Sequence, residues 1–313
     1  MRRQRVKIID SHAHIVQYIA GTGNEGELRA LGDGSGRALY ASGSLVQMIP
    51  EEFHKDCVTP EDLIGEMDRN EVEKAVLLQG NFYGFQNQYT WDAMQKYPDR
   101  LTGAAMYDPY ACGKERVRAH LFEELGFDKV KFECSIGSGL MALHGELRMN
   151  DEIMDDAIRY AAERGQVIIL DIGKCGSPSW QIEAVREEIE KYPDAVFVLC
   201  HLLAPSDRDE EVWLPAMERL ALPNVWMDTS SLSHNLRPDD YPYPKTIRAL
   251  AQARDILGAD KLLFGTDYPS ALKEAPYENY VNFLLESDLF DAAEKQAILH
   301  DNAEKVFFHG GTE

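Results

Sequence analysis

The chain has 313 residues and a formal net charge of −21, from 53 acidic and 32 basic side chains; such a surface repels a phosphate backbone, so no nucleic-acid partner is expected. Its 44% hydrophobic and 10% aromatic content suits one substantial core, and no apolar run approaches the roughly 20 residues of a membrane span. Five scattered cysteines, Cys57, Cys112, Cys134, Cys175 and Cys200, lack the paired spacing of a zinc finger or disulfide framework, and the basic N-terminus leads into a strand without a signal peptide's apolar stretch, so a reduced, cytoplasmic protein is expected.

The first predicted element is a strand over Val6–Ile9, running into Asp10, His12 and His14 of the segment IIDSHAHI. Strand side chains alternate faces, so residues two apart point the same way, and His12 and His14 can converge on one point. Neutral imidazole is the commonest protein metal ligand, which makes this pair half of a metal site. The polar, glycine-rich stretch that follows, 15–58, is too long for an ordinary connection and reads as a lid or substrate loop, with a disordered insertion as the alternative.

From Thr59 the pattern becomes regular. Thr59-Pro60-Glu61-Asp62 marks a helix start running to about Asn70. Strands are predicted at KAVLLQG, LTGAAMY, KVKFE, QVIILD, AVFVLCH, NVWMDTS and KLLFGTD. Helices are expected between them near 89–97, 115–125, 151–163, 179–192, 211–220 and 244–257. With the first strand this makes eight buried strands alternating with helices, the number that closes a (β/α)8 TIM barrel of a single domain, 1–313. An open doubly wound sheet is the runner-up, but it would carry a glycine-rich phosphate turn where DSHAH stands. Helices over 276–313 are expected to pack on the outside of the barrel or against a second subunit, and their apolar positions make a homodimer reasonable.

In such a barrel, catalytic groups sit at the C-terminal ends of the strands. Those ends carry Asp10, His12 and His14 on the first, Lys131 and Glu133 on the fourth, Asp171 on the fifth, His201 on the sixth, Asp228 on the seventh and Asp267 on the eighth. Charged groups so placed are costly unless paired or metal-bound.

With IIDSHAHI, FVLCHLLAP, NVWMDTSSL, LLFGTDYP and ILHDNAEKVF, the chain resembles the amidohydrolase-related family of metal-dependent TIM-barrel proteins. That family includes aminocarboxymuconate semialdehyde decarboxylase, resorcylate-type decarboxylases and lactone or amide hydrolases. The resemblance spans nearly the whole chain except the 15–58 segment. It implies His12 and His14 as first-strand metal ligands, Asp267 as a ligand that also handles protons, and His201 as the group beside the metal that polarises or protonates substrate. One divalent ion, Zn²⁺ or Mn²⁺, is implied.

The chain departs from the family at the fifth strand, where a ligating histidine is common and Asp171 stands instead. Either Asp171 coordinates as a carboxylate, or the metal is weakened or absent. Glu133 reads as a compensating metal ligand or as the partner of Lys131, and Lys131 as a binder of a substrate carboxylate or as half of that ion pair. Asp228 is expected to orient His201 or cap a following helix. Phe82, Tyr83 and Phe85 suit a flat ring, or pack in the core. His54, His144 and His234 fall in predicted loops.

The expected activity is metal-dependent hydrolysis of an ester, lactone or amide on a small, carboxylated or aromatic compound, with Asp267 as general base and His201 as electrophilic helper. The closest rival is a non-oxidative decarboxylase. Family decarboxylases often follow the sixth-strand histidine with Gly-Glu, whereas this chain continues Leu202-Leu203-Ala204-Pro205. A non-catalytic binding barrel is the reading from a different class.

Overall fold

Residues 6–308 are described by the computed structural model; the basic residues 1–5 and the end of the expected C-terminal helical segment, 309–313, lie outside the described residues. The first strand, β1, is Ile9–Ala13, so the two histidines sit in and just after the strand itself. Four short strands follow, β2 (Ala20–Gly23), β3 (Gly26–Ala30), β4 (Arg37–Tyr40) and β5 (Leu45–Gln47). Then come β6 (Lys74–Leu77), β7 (Leu101–Gly103), β8 (Lys129–Glu133), β9 (Val167–Asp171), β10 (Val196–Leu199), β11 (Val225–Asp228) and β12 (Leu262–Leu263).

Two parallel ladders, β1-β6-β7 and β8-β9-β10-β11-β12, make up the wall. Hydrogen bonds join them at both seams. Ala105 N donates to Lys129 O and Lys131 N to Ala105 O, each at 2.9 Å, between β7 and β8. Ser11 N reaches Phe264 O at 2.8 Å, Asp267 N reaches His12 O at 2.8 Å and His14 N reaches Tyr268 O at 2.7 Å, between β12 and β1. The eight strands therefore close into the expected (β/α)8 barrel. Its helices begin where the sequence signals them: Pro60–Arg69 starts with a capping box of Thr59 and Asp62, and Glu152–Ala162 starts on the Asp151 side chain, which accepts from Ile153 N and Met154 N.

Alternation along the strands sets two layers of core. Val130 and Phe132 face outward into the large cluster shared with the helices. Val76, Val167, Ile169, Val198 and Trp226 face inward into a second cluster. On β9 and β11 the inward face ends in Asp171 and Asp228, so one row of side chains is apolar below and acidic at the mouth.

The chain's end corrects an expectation. Tyr277–Glu286 does pack on the outside, but Ala303, Val306 and Phe307 join the inner cluster and close the N-terminal end of the barrel. Lys74, the first residue of β6, clasps Glu304 at 2.7 and 2.8 Å. None of the described helices is long and apolar enough to cross a membrane.

The 15–58 stretch also differs from a loop. Its strands form an antiparallel sheet in the order β2-β3-β4-β5, whose glycine-rich turns masked the alternation that would have revealed it. The base is pinched shut by reciprocal bonds between Val16 and Val58, at 2.9 and 2.7 Å. The sheet docks on the mouth through Ala20 N to Tyr83 O, Thr22 N to Asn81 O and Asn24 N to Gly137 O, at 2.9–3.0 Å. Only glycine permits this approach at position 21, because a Cβ there would lie 1.9 Å from Phe82 O. Gly21→Val is therefore expected to pry the sheet from the mouth at a cost of about 1–3 kcal/mol, read as a lower melting temperature by calorimetry. An unchanged melting temperature would show that the sheet is not anchored there.

Candidate active site

At the mouth, a register irregularity between Asp10 and Ala13 against β6 brings both histidines of β1 to the barrel axis. Their rings lie 5.1 Å apart, centre to centre. His12 is fully buried, and its Nδ1 is held by Asp228 Oδ2 and Ser230 Oγ, each at 3.0 Å. His14 Nδ1 lies 2.8 Å from Leu78 O. Each second nitrogen is thereby freed: His12 Nε2 has no hydrogen-bond partner, and His14 Nε2 stands 3.0 Å from Asp267 Oδ1, which is 3.9 Å from His12 Nε2. Asp10 is not part of this cluster. It is buried and accepts from Thr266 Oγ1 and Tyr277 OH at 2.6 Å, tying β1 to the β12 loop and the outer helix.

Six residues of the mouth loops hold left-handed backbone without being glycine. Asp267 has φ 68°, Ser231 has φ 55°, and His201 opens a run of four, His201 to Ala204, at 61°, 47°, 64° and 47°. Such conformations cost free energy and persist where surrounding contacts enforce them, often at functional sites. Here the contacts are specific. Asp228 Oδ1 accepts from His201 N at 3.1 Å, Ser230 O and Oγ lie 3.0 and 2.8 Å from His201 Nδ1, and Ser231 Oγ donates to Asp267 Oδ2.

The electrostatics divide these groups into two kinds. Burial, outweighing the neighbouring Asp228, lowers His12 to about 4 and keeps it neutral at pH 7. Burial also disfavours a charged His201, but Asp171, with Nε2–Oδ2 at 3.4 Å, together with Asp228 and Asp267, raises it to about 9. Burial likewise opposes ionised Asp171 and Asp267; the His201 and His14 contacts prevail and hold both well below the usual carboxylate range. A neutral imidazole thus stands beside a cationic one, with a carboxylate against each group.

The structure gathers His12, His14 and Asp267 with ligand atoms within 4.8 Å of one another. Asp171 is outside that group and lies against His201 instead. Glu133 is held by hydrogen bonds: its Oε2 accepts from Asn81 N at 2.7 Å and its Oε1 from Ser138 Oγ at 2.7 Å and Ser135 Oγ at 3.2 Å. Lys131 is buried on the inward face of β8. Phe82 and Tyr83 flank His14 at 5.9 and 5.7 Å, while Phe85 is exposed. His144 is tied to Asp108 and His234 to Glu274, away from the cluster. The Asp228 side chain orients the ring of His12 and accepts from the backbone N–H of His201. Sequence reading missed Ser230, whose hydroxyl bridges Asp228 and both rings, and Asn81. The Thr-Ser-Ser run after the seventh strand was the available signal for Ser230.

Do these residues fit a metal ion? With Nδ1 on Leu78 O, His14 turns Nε2 toward Asp267 Oδ1 at 3.0 Å, and the orphaned His12 Nε2 stands beside the pair, so the three atoms face one point that a cation would complete. A buried set of two imidazoles and one carboxylate suits Zn²⁺ or Mn²⁺. The residues fit.

A profile of the amidohydrolase family matches residues 9–308. No curated protein matches the sequence. Among solved structures, a probable 2-pyrone-4,6-dicarboxylic acid hydrolase from Acinetobacter baumannii, with citric acid bound, is 19% identical at a TM-score of 0.66, over 96% of this chain and 98% of that one. An amidohydrolase from Burkholderia multivorans with bound zinc is 18% identical at 0.68, over 96% and 98%. A manganese-bound 5-carboxyvanillate decarboxylase from Novosphingobium aromaticivorans is 18% identical at 0.52, over 78% of each chain. At these identities the likeness is one of fold.

Proposed function

The chain belongs to the amidohydrolase family, whose enzymes are hydrolases or decarboxylases, and from that membership and the mouth geometry we propose that it hydrolyses a small ester, lactone or amide. The observation that carries this reading is the buried, unpartnered His12 Nε2 beside the His14–Asp267 pair. His12, His14 and Asp267 would hold one Zn²⁺ or Mn²⁺ ion; when bound, such an ion supplies Lewis acidity and a water acidified to near neutrality.

The chain's own groups do the rest. Asp267 takes the proton of the attacking water on the carboxylate that Ser231 steadies. His201, kept cationic by Asp171, donates to the carbonyl oxygen as negative charge develops on it and passes a proton to the leaving group. Asp228 and Ser230 fix both rings. Phe82 offers an apolar ring beside His14, and the sheet β2–β5 docks on the mouth next to it.

Elemental analysis of purified protein, combined with a panel of lactones, esters, amides and aromatic acids, tests this reading. Stoichiometric zinc or manganese, loss of turnover on chelation and release of acid are expected. Turnover indifferent to chelator, in protein without stoichiometric metal, overturns the metal assignment. Release of CO₂ without hydrolysis makes the chain a decarboxylase.

A further inference from the structure

Outside the catalytic cluster, one buried side chain is left unmet. Tyr268 follows Asp267 in the loop after β12; it is 0% exposed, and its hydroxyl has no hydrogen-bond partner among the described residues. Burial, with Asp62 and Glu66 nearby and against Arg69, raises its pKa, so the phenol keeps its proton and offers one donor and an acceptor oxygen. Its backbone belongs to the mouth, where the carbonyl accepts from His14 N–H at 2.7 Å.

The Tyr268 ring lines a cavity of about 320 Å³, together with Phe53, Lys55 and one side of the helix Pro60–Arg69; none of the groups assigned to the chemistry lines it. Gly65 stands in the middle of that helix, where glycine is a poor helix former, and no close approach demands it. Beyond the helix's own backbone, a Cβ there would meet only Arg69 Nη1, at 3.6 Å. What the missing side chain provides is space in the cavity. The charged walls are balanced in pairs, Lys55 on Asp62 at 2.6 Å, Lys96 on Glu61 at 2.5 Å and Arg69 on Glu66, so no net ion is called for. Their carboxylate lone pairs and guanidinium N–H groups exceed what the pairs use. Phe53 adds an apolar ring, 6.2 Å from that of Tyr268. A buried hydroxyl left unmet is costly, and such a group is retained where a ligand completes it.

We propose that this cavity is a second binding site, separate from the catalytic mouth, for a hydroxylated six-membered ring: a monosaccharide or cyclic polyol. Each hydroxyl of such a ring donates and accepts at once, which suits a neutral phenol and walls of paired carboxylate, ammonium and guanidinium groups. Its C–H face suits the ring of Phe53. A ligand with a net charge would meet a like charge on one wall or the other. The cavity lies at the small end of ligand pockets, which run from about 300 to 1,000 Å³, and Tyr268 puts the bound ring one residue from Asp267.

The probe is myo-inositol, followed by saturation-transfer NMR on the purified full chain, with cyclohexanol, which keeps the ring and a single hydroxyl, as the control. Wild type is expected to bind the inositol with a Kd of about 1 mM and cyclohexanol at least about tenfold more weakly. Tyr268→Phe deletes only the unmet hydroxyl and should weaken binding roughly fivefold. Gly65→Leu fills the cavity with a better helix former and should abolish binding while the circular dichroism stays that of the wild type. If Gly65→Leu does not fold, Tyr268→Phe decides alone. Equal affinities in the folded forms, or cyclohexanol bound as tightly as the inositol, overturn the site. So does a wild type that binds nothing at about 50 mM, which leaves an ordered water as the partner of the phenol.

Discussion

Asp267→Asn is expected to lower kcat by about 10³-fold while leaving the barrel folded. The size follows from the double position of this carboxylate, 3.0 Å from His14 Nε2 and 3.9 Å from His12 Nε2: the amide removes the proton acceptor and the negative charge that the two Nε2 atoms share. The fold should survive because asparagine, like aspartate, tolerates the left-handed backbone found at this position, φ 68°, and keeps an oxygen for Ser231. Steady-state kinetics with elemental analysis and circular dichroism make the measurement. A folded variant within tenfold of wild-type kcat would remove Asp267 from the chemistry.

The second large effect is expected at His201. His201→Asn should reduce kcat by about 10²–10⁴-fold, with KM moving far less, because the lost interaction is strongest when the carbonyl oxygen carries charge. Asp171 acts through this ring, so Asp171→Asn should cost only about tenfold, and adding it to His201→Asn should cost nothing more. A double variant as poor as the product of the two single effects would show that Asp171 works independently. Loss of metal in Asp171→Asn would restore it to the ligand set.

Much of this arrangement was legible in the chain because it rests on period and punctuation. Eight apolar runs at strand length, helix starts such as Thr59–Asp62 and chemistry at six of the eight strand ends give a barrel and its mouth. What could not be read depends on registers between distant segments. Asp171 sits at a strand end in either role; only the approach of β10, and the backbone twist after it, put His201 within 3.4 Å of it. Choosing between a ligand role for Glu133 and a pair with Lys131 required knowing that Glu133 accepts from Asn81 N–H of another loop. The inserted sheet escaped because Gly26, Gly36 and Gly43, all at positive φ, break its strands into pieces too short for alternation to show.

The four left-handed residues from His201 to Ala204 set backbone ease against side-chain burial within a single turn. Glycine would relax the backbone at any of them, but it would delete the His201 imidazole and empty the core at Leu202 and Leu203, both fully buried. The turn therefore cannot be softened residue by residue without losing either the ring it presents or the packing beneath it.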